Sequence, residues 1–176
     1  MAVKKTISGM LVGERIIADD SPQAVLGVEK SRLGEHQKGK VVYSFLEAVY
    51  LVEQGKLSVL SGKTVVDATA LIKKAQKIDK EFLTRFIVFK DLRDRGYIVK
   101  TALKFGADFR VYDKGIKPGE GHAKWVVFPV HESKTLTWQD FSAKNRVSHS
   151  TRKLLLIGVV DDEGAVTYYE VAWKRP

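Results

Sequence analysis

Apolar residues recur along this chain with two periods. In the first half short alternating runs and helical runs take turns. SGMLVGERIIA (8–18) predicts a short strand pair. The Gly-punctuated stretch from Ser21 to Tyr43 predicts two to three short elements. YSFLEAVYLVEQG reads as a helix, because Phe45, Leu46, Val49 and Tyr50 recur at i, i+1, i+4 and i+5 and Gly55 suits the position just past a helix end. KLSVLSGKTVV reads as strand, turn and strand, and Asp67 as the N-cap of a helix ATALIKKAQKI. A further helix starts at Asp79, in DKEFLTRFIVFKDLRDRG. Phe82, Phe86, Phe89 and either Leu92 or Arg93 trace one of its faces, Arg93 and Arg95 suit its C-terminal end, and Gly96 stops it.

After Gly96 the period becomes two. YIVKTAL alternates, and so does GADFRVY, with Ala107, Phe109 and Val111 on one side and Asp108, Arg110 and Tyr112 on the other. HAKWVVFPV is apolar on both faces, as a central strand would be. Thr137 and Asp140 have capping-box spacing and open a helix that the apolar pattern carries to about Val147. KLLLIGVV is a second doubly buried strand, DDEG a tight turn, and AVTYYEVAW the return strand of a hairpin. The fold class predicted is α+β, or mixed α/β. A small N-terminal α+β domain over 1–83 precedes a C-terminal domain over 84–176, built on a central mixed β-sheet flanked by helices. No internal repeat, low-complexity segment or Pro/Ser-rich linker separates them.

Composition narrows the partners. Of the 176 residues 44% are hydrophobic, enough for a real core. No apolar run is long enough to span a membrane, and MAVKKTISGM lacks the apolar segment of a signal peptide, so a soluble, cytoplasmic protein is expected. Without cysteine there is neither a disulfide nor a thiolate metal site. His36, His122, His131 and His149 have no H-x-x-x-H spacing, and neither a metal nor another cofactor is expected. Thirty Lys and Arg against 21 Asp and Glu give a formal charge of +9. That favours a polyanion, with RNA, DNA and an acidic membrane as candidates and an inert basic surface as the plain alternative.

Three residues able to move or stabilise charge stand at the ends of predicted strands: Tyr112 before a loop holding Gly115, Pro118, Gly119 and Gly121, His122 after it, and Lys153 as the first residue of KLLLIGVV. Histidine suits proton transfer near neutral pH. Lysine can stabilise the extra negative charge of a pentacovalent phosphate. Singly, each has an ordinary explanation: a packed ring, a solvated loop residue, an edge charge that keeps a strand soluble. Asp108 and Glu120 could hold Mg²⁺ as in a metal-dependent DNA nuclease, but no second acid–x–Lys motif accompanies them.

The segments KFGADFRVY, GHAKWVV and RVSHSTRKLLLIGVV resemble, in order, the signature segments of the tRNA-splicing endonuclease family in its archaeal homomeric form. The resemblance covers roughly residues 84–176 and implies a set of roles. Tyr112 would be the general base on a ribose 2′-hydroxyl, His122 the acid that protonates the leaving 5′-oxygen, and Lys153 the cation beside the scissile phosphate. The implied reaction is metal-independent transesterification leaving a 2′,3′-cyclic phosphate and a 5′-hydroxyl. The implied substrate is precursor tRNA carrying a bulge–helix–bulge. Arg146 would stack on a bulged base, with Trp173 as the second plate; Trp173 also reads as an apolar plug. Arg152 would touch phosphate, or be a solvated charge. The acids Asp161, Asp162 and Glu163 at the hairpin tip form an ordinary polar turn or, as the resemblance implies, a loop that enters a basic groove of a neighbouring subunit. The latter would join dimers into a homotetramer. A non-catalytic RNA-binding subunit is the alternative, and the presence of Tyr112, His122 and Lys153 together argues against it.

Overall fold

The computed structural model describes residues 6–103, 106–116 and 118–174. Lys104 and Phe105, which open the KFGADFRVY segment, lie outside them. The chain divides into two compact units, Met1–Leu83 and Thr84–Pro176.

The first unit contains β1 (Ile7–Val12), β2 (Arg15–Asp19), α1 (Pro22–Ser31), β3 (Glu35–Gln37), β4 (Lys40–Tyr43), α2 (Phe45–Glu53), β5 (Leu57–Ser61), β6 (Thr64–Val66) and α3 (Ala68–Ile78). Its six strands run in the order β3-β4-β2-β1-β5-β6. Alternate residues of the strands, among them Ile16, Ala18, Val41, Tyr43, Leu57 and Val59, are buried. Against them packs α2, itself in contact with α3. Ser44 and Glu47 close a full capping box at the start of α2, and the Asp67 carboxylate accepts from Ala70 N at 2.7 Å to start α3. Both predicted hairpins form, β1 with β2 and β5 with β6. The alternation did not show that β5 lies parallel to β1, with Ile7 opposite Leu57.

The second unit is entered through α4 (Phe82–Asp94) and continues with β7 (Ile98–Thr101), β8 (Phe109–Tyr112), β9 (Trp125–His131), α5 (Trp138–Ser150), β10 (Leu154–Val160) and β11 (Val166–Val171). Strand order is β11-β10-β9-β8-β7. Only the central pair, β9 and β10, is parallel. A parallel pair needs a crossover, and α5 supplies it. Val126, Phe128, Leu155 and Ile157 form the core on the α5 side, packed by Phe141 and Val147. On the other side α4 brings Phe89 to 6.0 Å from the Phe109 ring. It also presses Val88 against Gly158, where an added Cβ would lie 3.1 Å from Val88 Cγ2. Both strands are therefore covered twice, as their apolar composition requires.

Several boundaries differ from the apolar pattern: β9 begins at Trp125, which leaves His122 outside the strand, and both helices of this unit are shifted. Helix α4 begins at Phe82, because Asp79 closes α3 and receives Glu81 N on its carboxylate at 3.0 Å. Helix α5 runs to Ser150, past Val147. Ser148, His149 and Ser150 interrupt the apolar stripe but not the backbone ladder. At its other end Thr137 and Asp140 form the predicted capping box, and the Thr137 hydrogen bonds hold the Asp140 carboxyl below the usual carboxylate range.

Candidate functional site

The strand directions bring the three sequence-predicted chemical residues to one end of the second sheet. Strand β8 ends where β9 begins, since the two are antiparallel, and β10, parallel to β9, begins there as well. Val111, Trp125 and Leu154 form the last paired row across these strands. One step further out, Lys124 N donates to Val111 O at 2.9 Å and Leu154 N donates to Lys124 O at 3.0 Å. Tyr112 and Lys153 thus stand at the same level, two strands apart. That separation is about 10 Å at the backbone.

Each residue is held differently. Tyr112 is buried, at 5% exposure, although alternation puts it on the face opposite Phe109: both faces of β8 are covered. His122 is exposed in the β8–β9 loop, which a bridge between Pro118 and Gly121 closes. Lys153 is half-buried, and its Nζ donates to Thr151 O at 2.8 Å. Its backbone is fixed by the end of α5. Arg152 N donates to His149 O at 3.0 Å, and Lys153 N donates to Ser148 O at 2.8 Å. These two bonds make a Schellman closure, in which the residue at Arg152 must be left-handed; its φ is 54°.

Beside Lys153 opens a cleft of about 480 Å³, walled by Lys124, His149, Arg152, Lys153 and Trp173. Four of these five carry basic groups, and no carboxylate lines it among the described residues. Such a site concentrates anions. Part of the basic character answers the negative end of α5, and Lys153 Nζ on a terminal carbonyl does so directly. Lys124 is also paired with Asp113 at 3.6 Å and lies over the Trp125 ring at 4.3 Å. Trp173, just past β11, is 54% exposed, with its ring centroid 4.7 Å from that of His149.

Of the sequence-predicted residues, the cleft gathers Lys153, Arg152 and Trp173. Tyr112, His122 and Arg146 do not line it, although Ala123 next to His122 does. Arg146 is exposed on α5, one turn before His149. His149 was not among the sequence candidates. The signal that could have found it is its i+3 spacing from Arg146, which places both on one helix face once α5 is carried to Ser150.

Asp108 is engaged by Arg85 at 2.7 Å and serves packing of the second unit. Among the described residues no three His, Asp or Glu side chains cluster as a metal centre would, and no helix is long and apolar enough to cross a membrane. At the hairpin tip the Asp161 carboxylate accepts from Glu163 N at 3.0 Å and Ala165 N at 2.8 Å. Asp162 lies 3.4 Å from His131, and Glu163 is exposed.

Residues 82–168 match the family model described as tRNA intron endonuclease, catalytic C-terminal domain, and residues 7–72 match that of the N-terminal domain. The chain is 39% identical over 174 residues to the tRNA-splicing endonuclease of Nanoarchaeum equitans, covering 96% of this chain and 99% of the relative. It is 41% identical over 166 residues to that of Thermococcus kodakarensis, covering 94% and 96%. With that of Pyrococcus furiosus it shares 39% over 174 residues, covering 98% and 99%.

Proposed function

The chain belongs to the tRNA intron endonuclease family, and we propose that it excises introns from precursor tRNA by cutting within bulge–helix–bulge structures through metal-independent transesterification. The observation that carries this reading is that Tyr112, the loop bearing His122, and Lys153 lie at the same end of three adjacent strands.

In the proposed reaction the 2′-oxygen of the nucleotide preceding the break attacks phosphorus while Tyr112 takes its proton. The bond from phosphorus to the 5′-oxygen breaks, and His122 supplies the proton that oxygen needs. A 2′,3′-cyclic phosphate and a 5′-hydroxyl result. Lys153 offsets the extra negative charge of the pentacovalent phosphate. The exposure of His122 suits an acid that meets its leaving group only when RNA is bound, and the polar loop gives it reach. Arg146 and Trp173 offer flat surfaces to unstacked bases, and Arg152 meets phosphate at the cleft mouth. A homotetramer built as a dimer of dimers would set two such sites against the two ends of an intron. The cytoplasm is the compartment proposed for this work.

The test is incubation with a bulge–helix–bulge RNA in EDTA, followed by analysis of the product ends. Cleavage should persist and leave cyclic phosphate. It should stop when the nucleotide 5′ to the scissile phosphate is 2′-deoxy. Cleavage of the deoxy substrate would remove the internal nucleophile, and RNA that is bound but never cut would identify a non-catalytic subunit instead.

A further inference from the structure

Trp173 stands where regular structure has ended. Strand β11 stops at Val171, and Ala172–Lys174 belong to no helix or strand. An indole on such a segment keeps a fixed orientation only if another group holds it. Among the described residues its ring partner is His149, with centroids 4.7 Å apart and planes tilted by 47°. That separation lies within the range of favourable aromatic pairs. His149 is itself well anchored. It lies in the last turn of α5, and its carbonyl receives Arg152 N in the closure that also fixes the backbone of Lys153. More than half of Trp173 remains accessible, at 54%.

We propose that His149 is a positioning residue, whose ring holds Trp173 at the wall of the Lys153 cleft and so sets the surface on which an unstacked RNA base lies. The proposal deepens the reading of Trp173 as an RNA contact and rests on it. It also gives the two flat RNA contacts a common support, because Arg146 and His149 share one face of α5 at i, i+3 spacing. The orientation of Trp173 is thereby referred, through His149 and the helix end, to the lysine at the scissile phosphate.

The full chain has three tryptophans, so labelling with 5-fluorotryptophan gives three fluorine resonances, and Trp173→Phe assigns the one of interest. His149→Ala should move the Trp173 resonance and leave that of the buried Trp125 in place. It should weaken binding of a bulged RNA nearly as much as Trp173→Ala does, on the order of 5- to 150-fold. The double variant should bind no worse than Trp173→Ala alone. His149→Phe should restore both resonance and affinity, whereas His149→Leu, which keeps apolar bulk without a ring, should not. If His149→Ala also shifts the Trp125 resonance, the Leu variant decides. An unmoved Trp173 resonance, or a double variant that loses the product of the two single effects, would overturn the proposal. Unchanged affinity in Trp173→Ala would instead sink the RNA-contact reading and the proposal with it. Weakened binding there, with full binding in His149→Ala and His149→Leu, would sink the proposal alone.

Discussion

Arg152 occupies a backbone conformation that favours glycine. Its φ of 54° closes α5, and the cost of a side chain in that region is roughly 1 kcal/mol. The residue is exposed at the mouth of the basic cleft. If packing alone mattered, glycine would serve better. Arg152→Gly should therefore leave the protein as stable as before or more stable by up to about 1 kcal/mol in urea titration. It should also weaken RNA binding and lower the slope of log affinity against log salt by about 0.7–0.9, one phosphate contact. Stability gained with binding unchanged would make Arg152 a helix terminator only. His122 makes the complementary case. It is exposed and does not line the cleft, so His122→Ala should lower single-turnover cleavage by about 10²–10⁴-fold with little loss of RNA affinity. A parallel fall of binding and rate would make it a binding residue. The placement of Tyr112 and Lys153 at strand ends was legible in the sequence, because the alternating run stops at Tyr112 and a continuous apolar run follows Lys153, whereas His122 lies in the loop, three residues before β9. His149 was not. The apolar stripe of α5 fades at Val147, and the last turn that carries His149 is polar, held by backbone bonds that leave no trace in hydrophobicity.

At the scale of elements, the local periods predicted where strands and helices lie, but not which strands are neighbours. The parallel pairing of β1 with β5 and of β9 with β10 depends on partners distant in sequence. The tie between α4 and the edge strand β11 is of the same kind. Tyr168 donates to Asp91 at 2.7 Å, and Arg95 reaches the same carboxylate with two nitrogens, at 2.7 and 3.2 Å. Burial, reinforced by the Asp91 carboxylate, raises the Tyr168 pKa far above the usual tyrosine value. Burial likewise pushes Tyr43 of the first unit up to about 12. A raised pKa means that the folded protein keeps a proton the unfolded chain gives up. The stabilisation is therefore complete below about pH 10 and is lost as pH rises through the folded values. Tyr168→Phe should cost about 1.5 kcal/mol at neutral pH, as loss of a hydrogen bond to a charged group does. It should also flatten the fall of stability above about pH 10 in urea titrations at stepped pH. A variant with the parent's alkaline slope would place the sensitivity elsewhere.

For the whole molecule, the hairpin tip after β10 is where assembly is proposed to act. Three adjacent acids stand there in a chain of formal charge +9, and the family resemblance implies that they enter a basic groove of a neighbouring subunit. The geometry divides their work. Asp161 already accepts two amides of its own turn, so its removal would damage the hairpin whatever the assembly does. Asp162 and Glu163 are exposed and carry the charge that a second subunit could meet. Single exposed ion pairs contribute little, but several acids entering one basic groove form a partly desolvated set whose effects reinforce one another. Asp162→Ser combined with Glu163→Ser, with Asp161 kept, should leave the fold and the hairpin intact. In sedimentation the mass should shift from tetramer toward dimer, more so at raised salt, where the remaining attraction is screened. Cleavage of an intron-bearing RNA should fall with the tetramer, since on the proposed reading the two cuts use two active sites held at a fixed separation. A double variant that stays tetrameric at micromolar concentration and raised salt would reduce the tip to a turn organised by Asp161.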